Sequence, residues 1–172
     1  MRRILVTGPI GSGKSAACGY LREKGYPVFD CDSECKALYD SVPGLKEKIE
    51  ETLETDFDNL GIIFTDTIRR EKLEALVYPI LKERIFVWYA AQNSEVAFME
   101  SAIALQKPSM SDCYDEVLLV SAPYEMRLKR NPKVAGRDDL QSFDLSRAGT
   151  VITNDGSLEK LHTNIDNYLK TI

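Results

Sequence analysis

The sequence predicts a three-layer α/β domain built on a mostly parallel sheet. Three observations carry that expectation. Five short apolar runs alternate with helical stretches along the chain, the pattern of repeated strand–helix–strand units. The first run, Ile4-Leu5-Val6, is continuously apolar, as a strand covered on both faces should be. A glycine-rich turn then separates this run from a helix. No repeat, low-complexity tract or linker-like composition interrupts the pattern, so one domain is expected.

The elements follow in order. Lys14 to Lys24 reads as a helix, ended by Gly25 and Pro27. Val28-Phe29 is a second strand running into Asp30-Cys31-Asp32, and a helix is expected from Ser33 to about Tyr39, with Asp32 or Ser33 as its cap. Leu45 to Phe57 is helical in character until Asn59-Leu60-Gly61 breaks it. Thr67 to Ala91 is helical again, and Pro79 should end or kink it near Val77 or Tyr78. Glu95–Glu100 and Glu116–Val120 are the third and fourth strands. Ser121 with Pro123 opens a helix carrying Arg127 and Arg130. Thr150–Thr153 is the fifth strand, and Ser157 caps a last helix with Leu158, Leu161, Ile165 and Leu169 in register.

Composition bounds the function classes. The chain has 172 residues and a formal net charge of −5. That length suits one core with a small lid or insert. Hydrophobic residues at 44% and charged residues at 28% argue against disorder. The acidic balance argues against a nucleic-acid partner. No apolar run approaches the roughly 18 residues of a spanning helix, and MRRILVTGPIGSGKS lacks a signal-peptide core, so no membrane association is expected. Cys18, Cys31, Cys35 and Cys113 form no CxxC pair and read as reduced thiols of a cytoplasmic protein.

The strongest feature is Gly8-Pro9-Ile10-Gly11-Ser12-Gly13-Lys14-Ser15, which satisfies G-x-x-x-x-G-K-[ST]. The glycines allow a tight backbone that aims successive N–H groups at phosphate oxygens. Lys14 is a point charge for the β- and γ-phosphates, the Ser15 hydroxyl can ligate Mg²⁺, and the helix that starts here turns its positive end to the anion. A strand before and a helix after complete the context of a P-loop NTPase fold. The expected contacts to ATP are Gly8, Ile10, Gly11, Ser12, Gly13, Lys14, Ser15 and Ala16.

The acceptor is read elsewhere. Asp30 and Asp32 stand at the end of the second strand, where ligands of open parallel sheets gather. Asp32 either positions an acceptor hydroxyl for phosphoryl transfer or merely caps the next helix. Arg127, Lys129, Arg130, Lys133 and Arg137 form a basic stretch with no acid, either a lid stabilising the transferring phosphoryl or a solvated helix end. Glu100 ends a strand and either holds Mg²⁺ through water or is a plain strand-end charge. His162 lies beside an apolar helical stripe and reads as structural, Cys31 and Cys35 lack the companions of a zinc site, and Phe86, Trp88 and Tyr89 read mainly as packing.

GPIGSGKS followed by PVFDCD resembles the dephospho-coenzyme A kinase family, whose members read GGIGSGKS/T and PV(I/V)DAD. LEALVYPI at 73–80 is similar to the family's L-E-x-I-x-H-P-x-I, and ESAIALQ at 100–106 stands where it has D-x-P-L-L-F-E. Arg127, Leu128 and Arg130 match R-L-x-x-R, Arg137 and Gln141 resemble the lid R-x-x-x-Q, and residues 148–157 look like A-D-x-V-I-x-N-x-G-S. The resemblance implies a five-stranded parallel sheet, a helical acceptor-binding region over about residues 40–92 and a short lid over about 127–147. It implies transfer of the ATP γ-phosphate to the ribose 3′-hydroxyl of dephospho-coenzyme A. Asp32 would orient or deprotonate that hydroxyl, Arg130 and Arg137 would contact phosphates, and Asn154 would border adenine. Tyr78, Ala102, Gln106 and Gly149 replace the family's histidine, proline, glutamate and aspartate. The expected protein is an ATP- and Mg²⁺-dependent small-molecule kinase, a monomer or weak homo-oligomer. A nucleoside monophosphate kinase and a nucleotide switch are the rival readings.

Overall fold

A computed structural model describes residues 1–136 and 147–172. Two compact units form, residues 1–30 with 91–172, and residues 31–90.

The first unit holds five parallel strands: β1 (Arg2–Thr7), β2 (Val28–Asp30), β3 (Val96–Glu100), β4 (Glu116–Ser121) and β5 (Thr150–Thr153), ordered β2-β3-β1-β4-β5. Central β1 is what the apolar run predicts, with Ile4, Leu5 and Val6 fully buried. Helices α1 (Lys14–Glu23) and α6 (Leu158–Leu169) lay Ala17, Cys18, Leu21, Leu161, Ile165 and Tyr168 on Ile4, Val6, Phe98, Leu118 and Val120 as one core. Gly25, at φ +86, lets the chain leave α1. Ser157 caps α6, its hydroxyl accepting the Lys160 N–H at 3.3 Å. His162 is structural, stacked on Tyr20 at 3.8 Å between centroids.

The second unit is helical: α2 (Cys31–Ser41), α3 (Leu45–Leu53), a 3₁₀ segment (Phe57–Phe64) and α4 (Thr67–Ala90). Of the end or kink expected at Pro79, the end does not occur, because helix α4 runs through the proline. Pro79 leaves the Ala75 carbonyl without its helical partner, at about 3 kcal/mol. Leu73, Val77, Leu81, Ile85 and Tyr89, each four residues after the last, are all buried. At roughly 1.5–3 kcal/mol per buried side chain, that stripe outweighs the proline. Helix α3 stops at Leu53, earlier than expected, where Glu54 turns left-handed at φ +52. The break at Asn59 is present, with non-helical torsions inside the 3₁₀ segment. Arg84 ties α4 to α2, its Nη2 donating to Ser41 Oγ at 2.6 Å and its Nη1 lying 3.7 Å from Glu34 Oε2.

Helix α2 starts at Cys31, so neither Asp32 nor Ser33 is its cap. The chain passes from β2 into the helix with no intervening turn. Asp32 sits exposed in the first turn, where its charge favours the positive helix end.

Candidate active site

The loop of residues 8–13 joins β1 to α1 at the carboxyl ends of the strands, where open α/β sheets bind ligands. Its glycines are required by contact as well as by torsion. A Cβ on Gly8 would lie 2.1 Å from the Val120 carbonyl oxygen, and one on Gly11 would lie 2.6 Å from that of Arg127. Gly13, at φ +95, is the cap of α1 and offers no side-chain acceptor to the helix N–H groups. Those donors stay available to an anion, and no acidic residue occupies the first turn to compete. Lys14 begins the helix, and exposed Ser15 follows.

Two further chain segments close on this loop. Helix α5 (Tyr124–Arg130) brings Arg130, whose Nη1 donates to the carbonyls of Gly11 and Ser12 at 3.3 and 3.4 Å. Its Nη2 donates to the Asn154 carbonyl at 3.2 Å and to Asn154 Oδ1 at 3.4 Å. Asn154, buried just past β5, donates from Nδ2 to the Ser12 carbonyl at 2.8 Å. Loop carbonyls that would repel a phosphate are thereby engaged by a cation and an amide. Arg127 is buried, its Nε donating to the Ala122 carbonyl at 3.2 Å.

Glu100 ends β3, in register with Val6 of β1 and Asp30 of β2. Glu100 is 7% exposed, and its carboxylate accepts the Ser15 hydroxyl at 2.7 Å. The two candidate Mg²⁺ ligands from sequence therefore meet. Burial, and next the Glu100 charge, push the Cys18 thiol pKa up.

Arg130 lies on the helix expected to carry it, α5, where it is anchored to the phosphate loop, and the following turn Pro132–Gly136 buries Val134 completely. Arg137 and Gln141 lie outside the described residues. The pairing of Arg130 with Asn154 had no sequence signal. The hydroxyls of Thr7, which had no sequence signal, and of Ser12, within the loop, are buried without a hydrogen-bond partner.

The sequence profile of the dephospho-CoA kinases matches residues 3–150. The chain belongs to the dephospho-CoA kinase family. The dephospho-CoA kinase of Deinococcus radiodurans is 29% identical over 191 residues, covering 99% of this chain and 92% of its own length. That of Thermus thermophilus is 31% identical over 172 residues, covering 91% and 84%. A crystal structure from Thermus thermophilus superposes with TM-score 0.82 at 29% identity, covering 99% of this chain and 97% of its own. At 18% and 17% identity, dephospho-CoA kinase from Campylobacter jejuni and shikimate kinase from Acinetobacter baumannii share the fold. Their TM-scores are 0.69 and 0.53, covering 99% of this chain in both cases and 96% and 94% of their own. As a dephospho-CoA kinase family member the protein is an ATP-dependent kinase with a P-loop α/β fold. Among the described residues no helix is long and apolar enough to cross a membrane.

The departures from the family pattern fall in both units. Tyr78 is on α4, where burial and then the Glu74 carboxylate push its phenol pKa up. Ala102 and Gln106 follow β3, and the Gly149 N–H donates to the Val117 carbonyl at 3.1 Å.

Gly13→Ala tests the loop. The new Cβ would lie 2.2 Å from Asn154 Nδ2 at a torsion that strains any side chain. With strain of about 1–3 kcal/mol plus the contact, ATP should bind at least roughly 30-fold more weakly by equilibrium dialysis.

Proposed function

We propose that this protein transfers the γ-phosphoryl group of ATP to the ribose 3′-hydroxyl of dephospho-coenzyme A, the last step of coenzyme A synthesis. The family match over residues 3–150, which runs through the phosphate loop, Asp30–Asp32 and Arg130, carries the reading. Lys14 and the free N–H groups of α1 hold the β- and γ-phosphates, and Arg130 places its charge beside them. Asn154 supports the loop, with adenine bordering the chain after β5.

Ser15 and Glu100 are hard oxygen donors 2.7 Å apart at the strand ends, a pair that suits Mg²⁺. They would hold that ion, which when bound neutralises charge on the phosphates. Asp32, exposed two residues beyond β2, orients the acceptor hydroxyl and takes its proton. Arg137 contacts phosphate from a lid over about 127–147, and the helices of about 40–92 hold the acceptor. The proposal places the protein in the cytoplasm as a monomer or weak homo-oligomer without a nucleic-acid partner. Its four thiols and net charge of −5 support this setting.

The test offers Mg-ATP with dephospho-coenzyme A, nucleoside monophosphates, shikimate or no acceptor, while ADP release is followed. ADP formed with dephospho-coenzyme A alone is expected. Turnover only with nucleoside monophosphates would overturn the reading.

A further inference from the structure

Helix α4 is apolar on two faces. One carries the buried stripe from Leu73 to Tyr89. On the other, positions 68, 72, 75, 79, 83, 86 and 90 recur every three or four residues and are all exposed. Five of them are apolar: Ile68, Ala75, Pro79, Phe86 and Ala90. Ile68 is 69% exposed and the adjoining Val87 66%, so this face is no part of the core. A helix apolar on both sides is ordinarily covered on both. The two remaining positions are Lys72 and Glu83, and among the described residues neither takes part in an ion pair.

We propose that this face joins two copies of the chain in a two-fold dimer with their α4 helices antiparallel. The order of side chains along the helix points to a second copy as the occupant. A two-fold axis midway between Lys72 and Glu83 sets each Lys72 opposite the Glu83 of the other copy. The same axis sets each Ile68 opposite the other copy's Val87 and beside its Phe86. Ala75 and Pro79 fall nearest the axis, where small side chains let helix axes approach to about 8–10 Å. A membrane surface would ask for flanking cations, whereas this face balances one Lys with one Glu. The 24 residues of α4 span about 36 Å, and a strip about 10 Å wide buries roughly 400 Å² per copy. That is half the roughly 800 Å² of a standard interface, and each copy carries a net charge of −5. The dimer is therefore weak, with a Kd of about 10–100 µM. Association by this face gives the weak homo-oligomer a surface, whichever acceptor is phosphorylated.

Sedimentation equilibrium at low salt, where surface charge is least screened, tests the face across about 1 µM to 1 mM protein. Wild type, Lys72→Glu, Glu83→Lys, the double exchange and a mixture of the two single variants are compared. Wild type should reach a dimer and no larger species, because a two-fold contact closes on itself. Each single variant sets like charges opposite each other at both ends, and should raise Kd at least about 10-fold. Glu83→Lys makes each copy less acidic, so weaker dimerisation there cannot come from overall repulsion. The double exchange rebuilds both pairs and should return Kd to within about threefold of wild type. The equimolar mixture should dimerise as wild type does, since a Lys72→Glu copy offers two acids to the two bases of a Glu83→Lys copy. Both positions are exposed, so circular-dichroism melts should shift by no more than about 2 °C. A wild type that stays monomeric to about 1 mM overturns the proposal and leaves the face to another occupant. A dimer that both single variants leave intact overturns it too, because the copies then meet elsewhere. Single variants that weaken the dimer without recovery in the mixture and the double exchange overturn the antiparallel arrangement, and the proposal with it.

Discussion

Lys14→Ala should lower kcat/KM for ATP by at least about 10³-fold while leaving the fold intact. Removing one preorganised neutral donor from a developing anion already costs about 10²–10³-fold in rate. Lys14 supplies a full charge, and it stands at the start of α1, where the helix N–H groups converge on the same anion. Arg130 cannot substitute, because its guanidinium is already engaged by the Gly11, Ser12 and Asn154 oxygens. Lys14 itself is not among the core residues, so the melting temperature should move by no more than about 2 °C. Lys14→Arg should recover only a minor part of the rate, since a planar fork does not occupy the place of a compact ammonium. Coupled ADP-release kinetics and a circular-dichroism melt check both halves of the expectation. Turnover within tenfold of wild type would remove Lys14 from the reaction.

The phosphate loop was legible because each of its residues does a local job. Gly13 must adopt a left-handed torsion, Lys14 and Ser15 must follow at once, and strand and helix must flank them. The strands were legible for a similar reason, since Ile4-Leu5-Val6 or Val117-Leu118-Leu119-Val120 can be buried on both faces. What escaped were contacts made by distant parts of the chain. Arg130 reaches the loop across a separation of 119 residues, and Ser15 meets Glu100 across 85. Such contacts follow from strand order, which places β3 and β4 on either side of β1. At Pro79 the helix does not end, because the buried stripe of α4 itself outweighs the local cost of the proline. At Asp32 it offered two roles. Capping is removed by the start of α2 at Cys31, which leaves the residue exposed and without that duty.

Asp32→Asn should therefore separate kcat from nucleotide affinity. The substitution keeps the size of the side chain and an oxygen that can accept a hydrogen bond, so the acceptor hydroxyl can still be oriented. It removes the ability to take the proton that the hydroxyl loses as the new phosphate ester forms. General-base contributions of about 10²–10⁴-fold set the scale, and a loose transition state, in which the nucleophile is little committed, favours the lower end. We expect kcat to fall by about 10²-fold and the Kd for ATP to change less than twofold. Asp32→Ala also loses orientation, and should be slower again by about tenfold. Asn and Ala variants of equal activity would mean that proton acceptance is the whole role. An Asn variant close to wild type would mean that orientation suffices and the proton leaves to water. The helix-end charge lost in either variant is exposed and worth only about 0.3–1 kcal/mol, so stability cannot account for a hundredfold change. Rapid-quench kinetics with ATP binding measured separately decide the matter. Parallel loss of ATP affinity and kcat would make Asp32 a structural residue of α2.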